Sequence, residues 1–336
     1  MKSDPNIVLS VLDLAAVREG GTVAESFRHT LALAQRAEQW GYRRFWLAEH
    51  HNITGIASAA TSVLIGHVAG GTRSIRVGSG GIMLPNHSPL VIAEQFGTLE
   101  ALYPGRIDLG LGRAPGTDPL TAQALGRDPR AGDRFPVLVE ELMHYLGPVA
   151  PNQRIQAVPG GGTNVPIWLL GSSTFSAQLA AELGLPFAFA GQFAPQMMLE
   201  AMDLYRENFK PSATLKKSYA MIGLPVLAAD TDEQAKHLAT SARQRVLRLI
   251  RGQPIYTPPP VATMDGLWNP AEEQAVEARL TAAVVGGPAT VGRKLKEFLR
   301  LTKADELMLH TDCYRPEDRL RSYEIVAGLF LKPTTK

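Results

Sequence analysis

The chain has 336 residues, of which 45% are hydrophobic and 20% are charged. This composition is typical of a globular protein that buries a large core, and it argues against disorder. The 34 basic and 32 acidic residues are spread along the chain and give a net charge of +2. Because no basic block offers a surface to phosphates, we expect no nucleic-acid partner.

The sequence carries no clear membrane span or secretion signal. Its longer apolar runs, such as Ala181–Ala190, are interrupted by Glu182 and Pro186 and are too short to cross a bilayer. The apolar piece Ile7–Leu12 meets Asp13 too soon to form the core of a signal peptide. We therefore expect a soluble, cytoplasmic protein with no membrane partner.

Short apolar runs that resemble strands alternate with longer amphipathic stretches. This alternation is typical of repeated βα units around a parallel sheet. Eight runs are predicted as strands: Ile7–Leu12, Arg44–Leu47, Ile75–Ser79, Arg106–Gly110, Ile167–Leu170, Pro186–Ala190, Tyr219–Ala228 and Glu306–His310. Between them lie helical patterns, including Val23–Trp40, which Gly41 ends, and Thr231–Leu249.

Eight βα units in a chain of this length predict one α/β domain over residues 1–336, folded as a single (β/α)8 TIM barrel. Two inserts without periodicity interrupt the pattern. Ala114–Pro136 follows the fourth strand, and Arg251–Pro270 precedes the eighth. Loops of this length inside a compact domain are either functional lids or disordered segments, and the sequence leaves both possibilities open.

Polar residues and glycines follow several of the predicted strands. In barrels of this type the active site lies at the carboxyl ends of the strands. Those positions hold Glu49-His50-His51-Asn52 after the second strand, Gly80-Gly81 after the third, Gly112-Arg113 after the fourth and Gly171-Ser172-Ser173 after the fifth. The sequence therefore predicts a binding site at one mouth of the barrel.

A serine-rich segment precedes the predicted helix Ala177–Leu183. Ser172, Ser173 and Ser176 would open this helix, where free backbone N–H groups and the helix dipole attract anions. Arg113 could add a bidentate contact to a phosphate. The alternative is that one serine simply caps the helix and that Arg113 is a surface charge.

A second glycine-rich segment competes with this phosphate site. Gly286-Gly287-Pro288 precedes another predicted helix, at the loop position where many barrels bind phosphate. A Gly-Pro pair before a helix is also ordinary helix punctuation, so we favour the serine-rich segment.

The adjacent histidines have several possible roles. His50 and His51 cannot both face the same point along a strand, so they diverge. With Glu49, His87 or Asp108 they could form a metal-dependent hydrolase site, but the ligands lack tight spacing and we predict no metal. His50 could also be a structural histidine bonded to a carbonyl rather than a catalytic one.

Polar and aromatic residues also lie within the predicted strands. Asp108 either faces the barrel interior or forms an ion pair with Arg106, and the sequence does not choose between them. Trp46 and Trp168 are predicted to belong to the core or the barrel wall.

Five motifs occur in order along nearly the whole chain. They are Phe45–His51, Val77–Pro85, Tyr103–Arg113, Pro166–Ser173 and Ala180–Pro186. Together they resemble the bacterial luciferase-like flavin monooxygenase family, in particular its single-chain members that are similar to the alkanal monooxygenase alpha chain. Several motifs at suitable spacing are far more specific than one glycine-rich loop.

The resemblance implies a barrel that holds reduced flavin mononucleotide (FMN), or in some branches the deazaflavin F420, at its carboxyl-end mouth. By position, His50 matches the active-site histidine of a Glu-His-His motif that begins at Glu49. Arg113 matches an arginine that meets the flavin phosphate. The stretch that also holds this phosphate is matched by Ser172, Ser173 and Ser176.

Two glycine positions carry further implications of the resemblance. Gly80-Gly81 occupies the place of a non-proline cis peptide beneath the flavin ring, so we predict a cis bond there. Gly112 stands where the light-emitting luciferase has a reactive cysteine, and we therefore do not expect light emission.

The resemblance also implies a chemistry and partners. Reduced flavin and O2 would oxidise a small organic substrate, with His50 handling protons and Glu49 orienting its surroundings. A separate NAD(P)H:flavin reductase would supply the reduced flavin, and we expect a homodimer. Two rival functions are a non-catalytic flavin-binding or storage protein and a metal-dependent barrel hydrolase that uses Glu49, His50, His51 and His87.

Overall fold

The computed structural model describes residues 7–128 and 130–331. Its strands are β1 (Val8–Asp13), β2 (Arg44–Leu47), β3 (Arg76–Met83), β4 (Ile107–Gly112), β5 (Ile167–Gly171), β6 (Phe187–Ala190), β7 (Ala220–Ala228), β8 (Val284–Gly286) and β9 (Glu306–His310). Eight of them pair in parallel in the order β1 to β7 and then β9, which pairs again with β1. The ring is therefore closed, and the predicted (β/α)8 barrel is confirmed.

Helices connect the strands on the outside of the ring. They are α1 (Val23–Trp40), α2 (Thr61–Gly70), α3 (Pro89–Leu102), α4 (Pro119–Ala124), α5 (Phe135–Leu146), α6 (Thr174–Leu183), α7 (Met198–Asn208), α8 (Asp232–Leu238), α9 (Thr240–Ile250), α10 (Pro270–Arg279), α11 (Pro288–Thr302) and α12 (Pro316–Phe330). Three short 3-10 helices cover Leu84–Asn86, Ala131–Arg134 and Pro195–Met197. Among the described residues, every helix falls short of the length and apolar character that a membrane crossing requires.

The first helix has the bounds predicted from its sequence. Thr22 and Glu25 form a capping box, in which each side chain accepts a hydrogen bond from the other residue's backbone N–H. At the other end Gly41 adopts φ 87°, a left-handed conformation that glycine tolerates without strain. Local signals at both ends therefore define α1.

The middle of the barrel is filled by apolar side chains. Its buried members are Leu12, Trp46, Ala48, Trp168, Ala188, Met221 and Met308. The rings of Trp46 and Trp168 meet edge to face with centroids 5.3 Å apart. Both tryptophans belong to the core, as predicted.

A buried layer of charge lies inside the barrel below this apolar layer, toward the amino ends of the strands. Arg44 Nη1 lies 2.7 Å from Asp108 Oδ2, and Arg44 Nε lies 2.8 Å from Glu306 Oε1. Arg76 Nη2 is 2.6 Å from the second oxygen of Asp108. Tyr219 donates to Glu306 at 2.9 Å. Two guanidinium groups thus balance two carboxylates.

This layer decides between the two possibilities for Asp108. Its carboxylate faces the barrel interior and is 1% exposed. Its partners are Arg44 and Arg76, whereas Arg106 donates to the backbone carbonyls of Ala69 and Thr72. An ion pair between Asp108 and Arg106 is therefore wrong, because Arg106 lies before β4 begins and its guanidinium donates to backbone carbonyls at the end of α2 and in the segment that follows it.

Two predicted elements differ from the structure more than the others do. The expected helix Thr231–Leu249 is divided into α8 and α9. At the break, the hydroxyl of Thr240 donates to His237 O and accepts from the N–H of Val261, which belongs to the second insert. The third strand extends to Met83, with a shift in register between Ser79 and Ile82.

The two inserts differ in structure, and one strand was not predicted. The first insert contains α4 and a 3-10 helix, whereas the second has neither helix nor strand among its described residues until α10 begins at Pro270. The second is fixed by a bridge from Thr257 to Arg18. The extra strand β8 pairs only with the carboxyl half of β7, and its three residues are too few to give a period.

We expect Arg44→Met to destabilise the protein by about 3–5 kcal/mol, because it leaves two buried carboxylates without their shared cation. The urea midpoint of unfolding measures this loss. Arg43→Met is the matched control, since Arg43 is exposed and should change stability by less than about 0.5 kcal/mol. Equal midpoints for the two variants would contradict the role given to the charged layer.

Candidate active site

A cavity of about 210 Å³ opens at the carboxyl ends of the strands. The floor is apolar and includes Leu12, Trp46, Met221 and Met308, while Met83, Leu170, Phe189 and Phe193 form much of the wall. One side is polar and consists of Arg113, Ser172, Ser173 and Ser176. The predicted phosphate-binding residues and Gly80-Gly81 therefore line one cavity at the expected mouth.

Glycines form a close-packed part of the wall. The Gly80–Gly81 peptide bond is cis, as predicted. A Cβ at Gly80 would lie 2.7 Å from Leu12 Cδ1, and one at Gly81 would lie 2.8 Å from Gly110 O. Any side chain here would displace a neighbouring strand or the cavity floor. Glycine is therefore required by packing at Gly81, where the contact is with backbone, whereas a side chain at Gly80 would have to displace Leu12 from the cavity floor.

The amino terminus of α6 is open toward this cavity. Helix α6 begins at Thr174, three residues before its predicted start, so Ser176 belongs to its first turn. Ser173 is the N-cap residue, yet its side chain makes no capping hydrogen bond. By contrast, the N-cap threonines Thr22 and Thr231 both accept a bond from their helix. Among the described residues, no side chain accepts a hydrogen bond from the first N–H groups of α6, so these groups can bind an anion.

Arg113 stands beside the same helix terminus. Its guanidinium carbon lies 4.2 Å from the centre of the Phe175 ring, in the first turn of α6. The guanidinium makes no hydrogen bond to another described residue. Arg113 is exposed at the cavity edge, and Phe175 holds it where an anion on α6 would meet it.

The competing glycine-rich segment is already occupied by a side chain. Gly287 N–H donates to Asp232 Oδ1 at 2.6 Å, and Thr290 donates to Asp232 Oδ2 at 3.0 Å. Asp232 therefore takes the anion position at the start of α11. Of the two phosphate cradles considered from sequence, the structure leaves the one at α6 available.

Glu49 is the centre of a hydrogen-bonded cluster behind the cavity wall. Its Oε1 lies 2.9 Å from both His51 Nε2 and His87 Nε2, and its Oε2 accepts from Met83 N–H at 3.0 Å. Burial alone would raise the pKa of this carboxyl, but the bonds from His87, His51 and Met83 lower it. Glu49 is 1% exposed and does not line the cavity.

This cluster contains three of the four residues named for a metal-dependent hydrolase. The ligand atoms of Glu49, His51 and His87 lie within 4.8 Å of one another. His50 is directed elsewhere, and Asp108 belongs to the charged layer below the core. Both histidines donate from Nε2 to one oxygen of Glu49, so the cluster ties the loop after β2 to the loop after β3.

His50 lies beside the cavity rather than in its lining. Its Nδ1 is 3.3 Å from Gly116 O, and its backbone N–H donates to Ser58 O at 3.0 Å. Since a carbonyl only accepts, Nδ1 carries the proton of the neutral ring and Nε2 carries the lone pair. Burial lowers the pKa of His50, against the opposing effect of Gly116 O.

Several residues of the site could not be singled out from sequence. Asn86 donates to Pro115 O at 2.9 Å, and Arg127 donates to Asn86 Oδ1 and Arg113 O. Together they hold the start of the first insert against the loop after β3. Neither residue belongs to a motif or a periodic pattern, so only the folded chain reveals them.

Comparisons of the sequence give one consistent family. The family described as luciferase-like monooxygenase matches residues 8–305. A luciferase-like monooxygenase of Escherichia coli (strain K12) is 53% identical over 96% of this chain and 97% of its own length. The N-acetyl-S-alkylcysteine monooxygenase of Bacillus subtilis (strain 168) is 34% identical over 97% and 98%.

Solved structures share the fold over the whole chain. Apo-MsnO8 has a TM-score of 0.89 and 39% identity, covering 97% of this chain and 99% of its own. The oxygenating constituent of 3,6-diketocamphane monooxygenase from Pseudomonas putida, in complex with FMN, has a TM-score of 0.71 and 18% identity over 98% and 100%. An F420-dependent secondary alcohol dehydrogenase has a TM-score of 0.70 and 13% identity over 97% and 99%.

The family resemblance predicted from five motifs is therefore confirmed by a family match over most of the chain and by relatives that align over nearly its full length. This chain belongs to the luciferase-like monooxygenase family.

Proposed function

We propose that the protein binds reduced FMN at the carboxyl end of the barrel and uses it with O2 to oxidise a small organic substrate. The observation that carries the proposal is the open amino terminus of α6 beside Arg113, at the edge of a largely apolar cavity. Membership of a monooxygenase family supports an oxygenase function.

The residues present fit the two parts of a flavin nucleotide. The phosphate would be held by Arg113, by N–H groups of α6 and by the hydroxyls of Ser172, Ser173 and Ser176. The apolar ring would occupy the part of the cavity bounded by Gly80 and Gly81. Bound reduced flavin supplies the electrons for reduction of O2, and the apolar walls exclude water from that chemistry.

F420 is the alternative cofactor. Proteins of this fold include one in complex with FMN and one that depends on F420. The serine-rich start of α6 favours FMN, because FMN ends in a phosphate, the kind of group that amides and hydroxyls at a helix start bind. Parallel anaerobic titrations with reduced FMN and reduced F420 distinguish the two cofactors.

His50 is the proposed proton-handling group, and Glu49 is a positioning residue. The lowered pKa of His50 keeps its imidazole neutral near pH 7, so Nε2 can accept a proton. The Gly116 carbonyl that fixes the ring belongs to a residue packed against Met83 of the cavity wall. Glu49 does not contact the cavity itself. It positions His50 indirectly, because its hydrogen bonds to His51 and His87 hold the loop after β2 against the loop after β3.

Other parts of the proposal come from the family resemblance and stay predictions. They are supply of reduced flavin by an NAD(P)H:flavin reductase, a homodimer and a cytoplasmic location. A non-catalytic flavin-storage protein would use the same phosphate residues, and O2-dependent product formation separates it from an enzyme. A metal-dependent hydrolase at Glu49, His51 and His87 would contain stoichiometric metal after purification and would not bind reduced flavin.

We expect Arg113→Ala to weaken binding of reduced FMN by about 10-fold to 100-fold, the cost of losing one charge-assisted contact. Anaerobic fluorescence titration measures the dissociation constant. Riboflavin is the control ligand, because it lacks the phosphate and should bind both proteins with equal affinity. A parallel loss of riboflavin affinity would show that Arg113 supports the cavity rather than the phosphate.

We expect His50→Ala to retain FMN binding within twofold and to lower turnover at least tenfold, the usual contribution of a general base. Turnover is followed as O2-dependent oxidation of an N-acetyl-S-alkylcysteine, the substrate class in the name of one relative. His67→Ala is the matched control, since His67 is exposed on α2. Unchanged turnover in the His50 variant would remove this residue from the mechanism.

The lowered pKa of His50 also predicts how stability depends on pH. The folded state binds this proton less tightly than the unfolded chain, so the contribution to stability falls as pH decreases below about 6.5, the ordinary histidine pKa. It becomes constant below the folded-state pKa. Urea midpoints are measured between pH 8 and pH 5. As the pH is lowered, the midpoint of the wild-type protein should fall relative to that of His50→Asn. A constant difference between the two proteins would refute the shift.

A further inference from the structure

A second polar group stands at the barrel mouth, at the end of β9. Met308 lines the cavity, and His310 lies two residues further along the same strand. Side chains two residues apart on a strand face the same side of the sheet. His310 is therefore on the inner face of the barrel, and like His50 it lies beside the cavity lining rather than in it.

His310 is held by a carboxylate that is itself held by an arginine. Its Nε2 lies 3.2 Å from Asp312 Oδ2, and Arg245 Nη1 lies 2.7 Å from Asp312 Oδ1. The three side chains are only 13%, 17% and 7% exposed, respectively. Arg245 also donates to Ile255 O at 3.1 Å, which fixes it against the second insert. The geometry of the group is therefore constrained from both ends.

This arrangement determines which ring nitrogen carries the proton. Burial alone would raise the pKa of Asp312, but Arg245 and His310 lower it, so the group is an ionised carboxylate at neutral pH. A carboxylate only accepts hydrogen bonds. Nε2 of His310 is therefore the N–H donor, and in the neutral ring Nδ1 carries the lone pair.

The lone pair on His310 Nδ1 accepts no hydrogen bond from the part of the chain that the structure describes. Nδ1 of His310 is buried and has no hydrogen-bond partner among the described residues. Leaving a buried polar atom unpaired is unfavourable, so such atoms in folded proteins are normally satisfied by a protein group, a water or a ligand. Because Nδ1 is an acceptor, its missing partner is an N–H or O–H group.

The positive charge of Arg245 also acts on His50. Burial lowers the pKa of His50, the hydrogen bond to Gly116 O raises it, and the charge of Arg245 lowers it further. His310 and Asp312 are called the dyad below. Other charged groups around the dyad are Asp13 and Arg319, which are paired with each other at 3.0 Å.

We propose that His310 is a second proton acceptor of the active site, with Asp312 and Arg245 as its positioning residues. Nδ1 accepts a hydrogen bond from an N–H or O–H group of the bound molecule. When that bond breaks, its electron pair stays on the bound molecule and the proton adds to Nδ1. The imidazolium that forms is stabilised by Asp312. The inference rests on the proposed function, and the donor belongs either to the flavin or to the substrate.

The first test reads the tautomer of His310 and needs no turnover. Long-range ¹H–¹⁵N NMR of the histidine-labelled protein, with the His310 signals assigned from His310→Asn, should show Nε2 protonated and Nδ1 unprotonated. Asp312→Asn should change this state, because the amide can donate to Nε2. A proton on Nδ1 of the wild-type protein would overturn the proposal, whether or not flavin binds.

The same spectra identify the source of the donor. Reduced FMN is added anaerobically, and an N-acetyl-S-alkylcysteine is then added to the complex. A change of the Nδ1 shift on the first addition assigns the donor to the flavin, and a change only on the second assigns it to the substrate. No change on either addition overturns the proposal. If reduced FMN fails to bind at all, the proposed cofactor is wrong, and the tautomer still tests the dyad.

The second test separates proton transfer from positioning. We expect His310→Leu and His310→Asn both to lower turnover at least tenfold with the FMN dissociation constant changed less than twofold, since neither side chain takes up a proton. His67→Asn, on the exposed face of α2, is the control and should match wild type. Full activity in His310→Leu, or rescue by the hydrogen-bonding Asn side chain alone, would overturn the assignment as a proton acceptor.

Discussion

The inside of the barrel depends on the two ion pairs that Arg44 makes. Its guanidinium joins Asp108 of β4 and Glu306 of β9 to its own strand β2, so one side chain links parts of the chain that are 64 and 262 residues away. Both acids are buried, and the guanidinium lies 2.7 Å from one and 2.8 Å from the other. The layer therefore connects three strands inside the ring, below the apolar layer and the mouth.

The carboxyl end of the barrel is organised by contacts between loops. Glu49 ties the loops after β2 and β3 together through His51 and His87, while Asn86 and Arg127 attach the start of the first insert. These contacts lie behind the cavity wall and leave the cavity itself largely apolar. The division agrees with a site in which rigid supports position a few exposed polar groups.

Much of the fold followed from the sequence because strong local patterns specify it. The apolar runs predicted the barrel strands, and Thr22, Glu25 and Gly41 defined α1 at both ends. The third strand was predicted too short because glycines at its end look like a turn in sequence. The division between α8 and α9 depends on the hydroxyl of Thr240 meeting a distant insert, which no local pattern contains.

The site was predicted in part, and the limit has a physical basis. Arg113 and the serines were predicted together because helix termini bind anions by a rule that sequence expresses, and the structure brings them to one cavity. The rule could not separate α6 from α11, since the decisive group is Asp232, 55 residues away from the Gly287 amide that it occupies. His310 was missed for the same reason, because its partner and its lone pair are apparent only when β9 is placed beside the mouth.

The uncapped amino terminus of α6 also makes the stability of the folded protein depend on the concentration of an anion that can bind there. A helix start without a capping side chain gives up about 1 kcal/mol in the empty protein. An anion that binds there would stabilise the folded protein by about 2.7 kcal/mol at a hundred times its dissociation constant, and this value already contains the contacts to the uncapped N–H groups. Cells degrade unfolded chains preferentially, so the steady-state amount of this protein should follow the supply of the anion that fills that terminus.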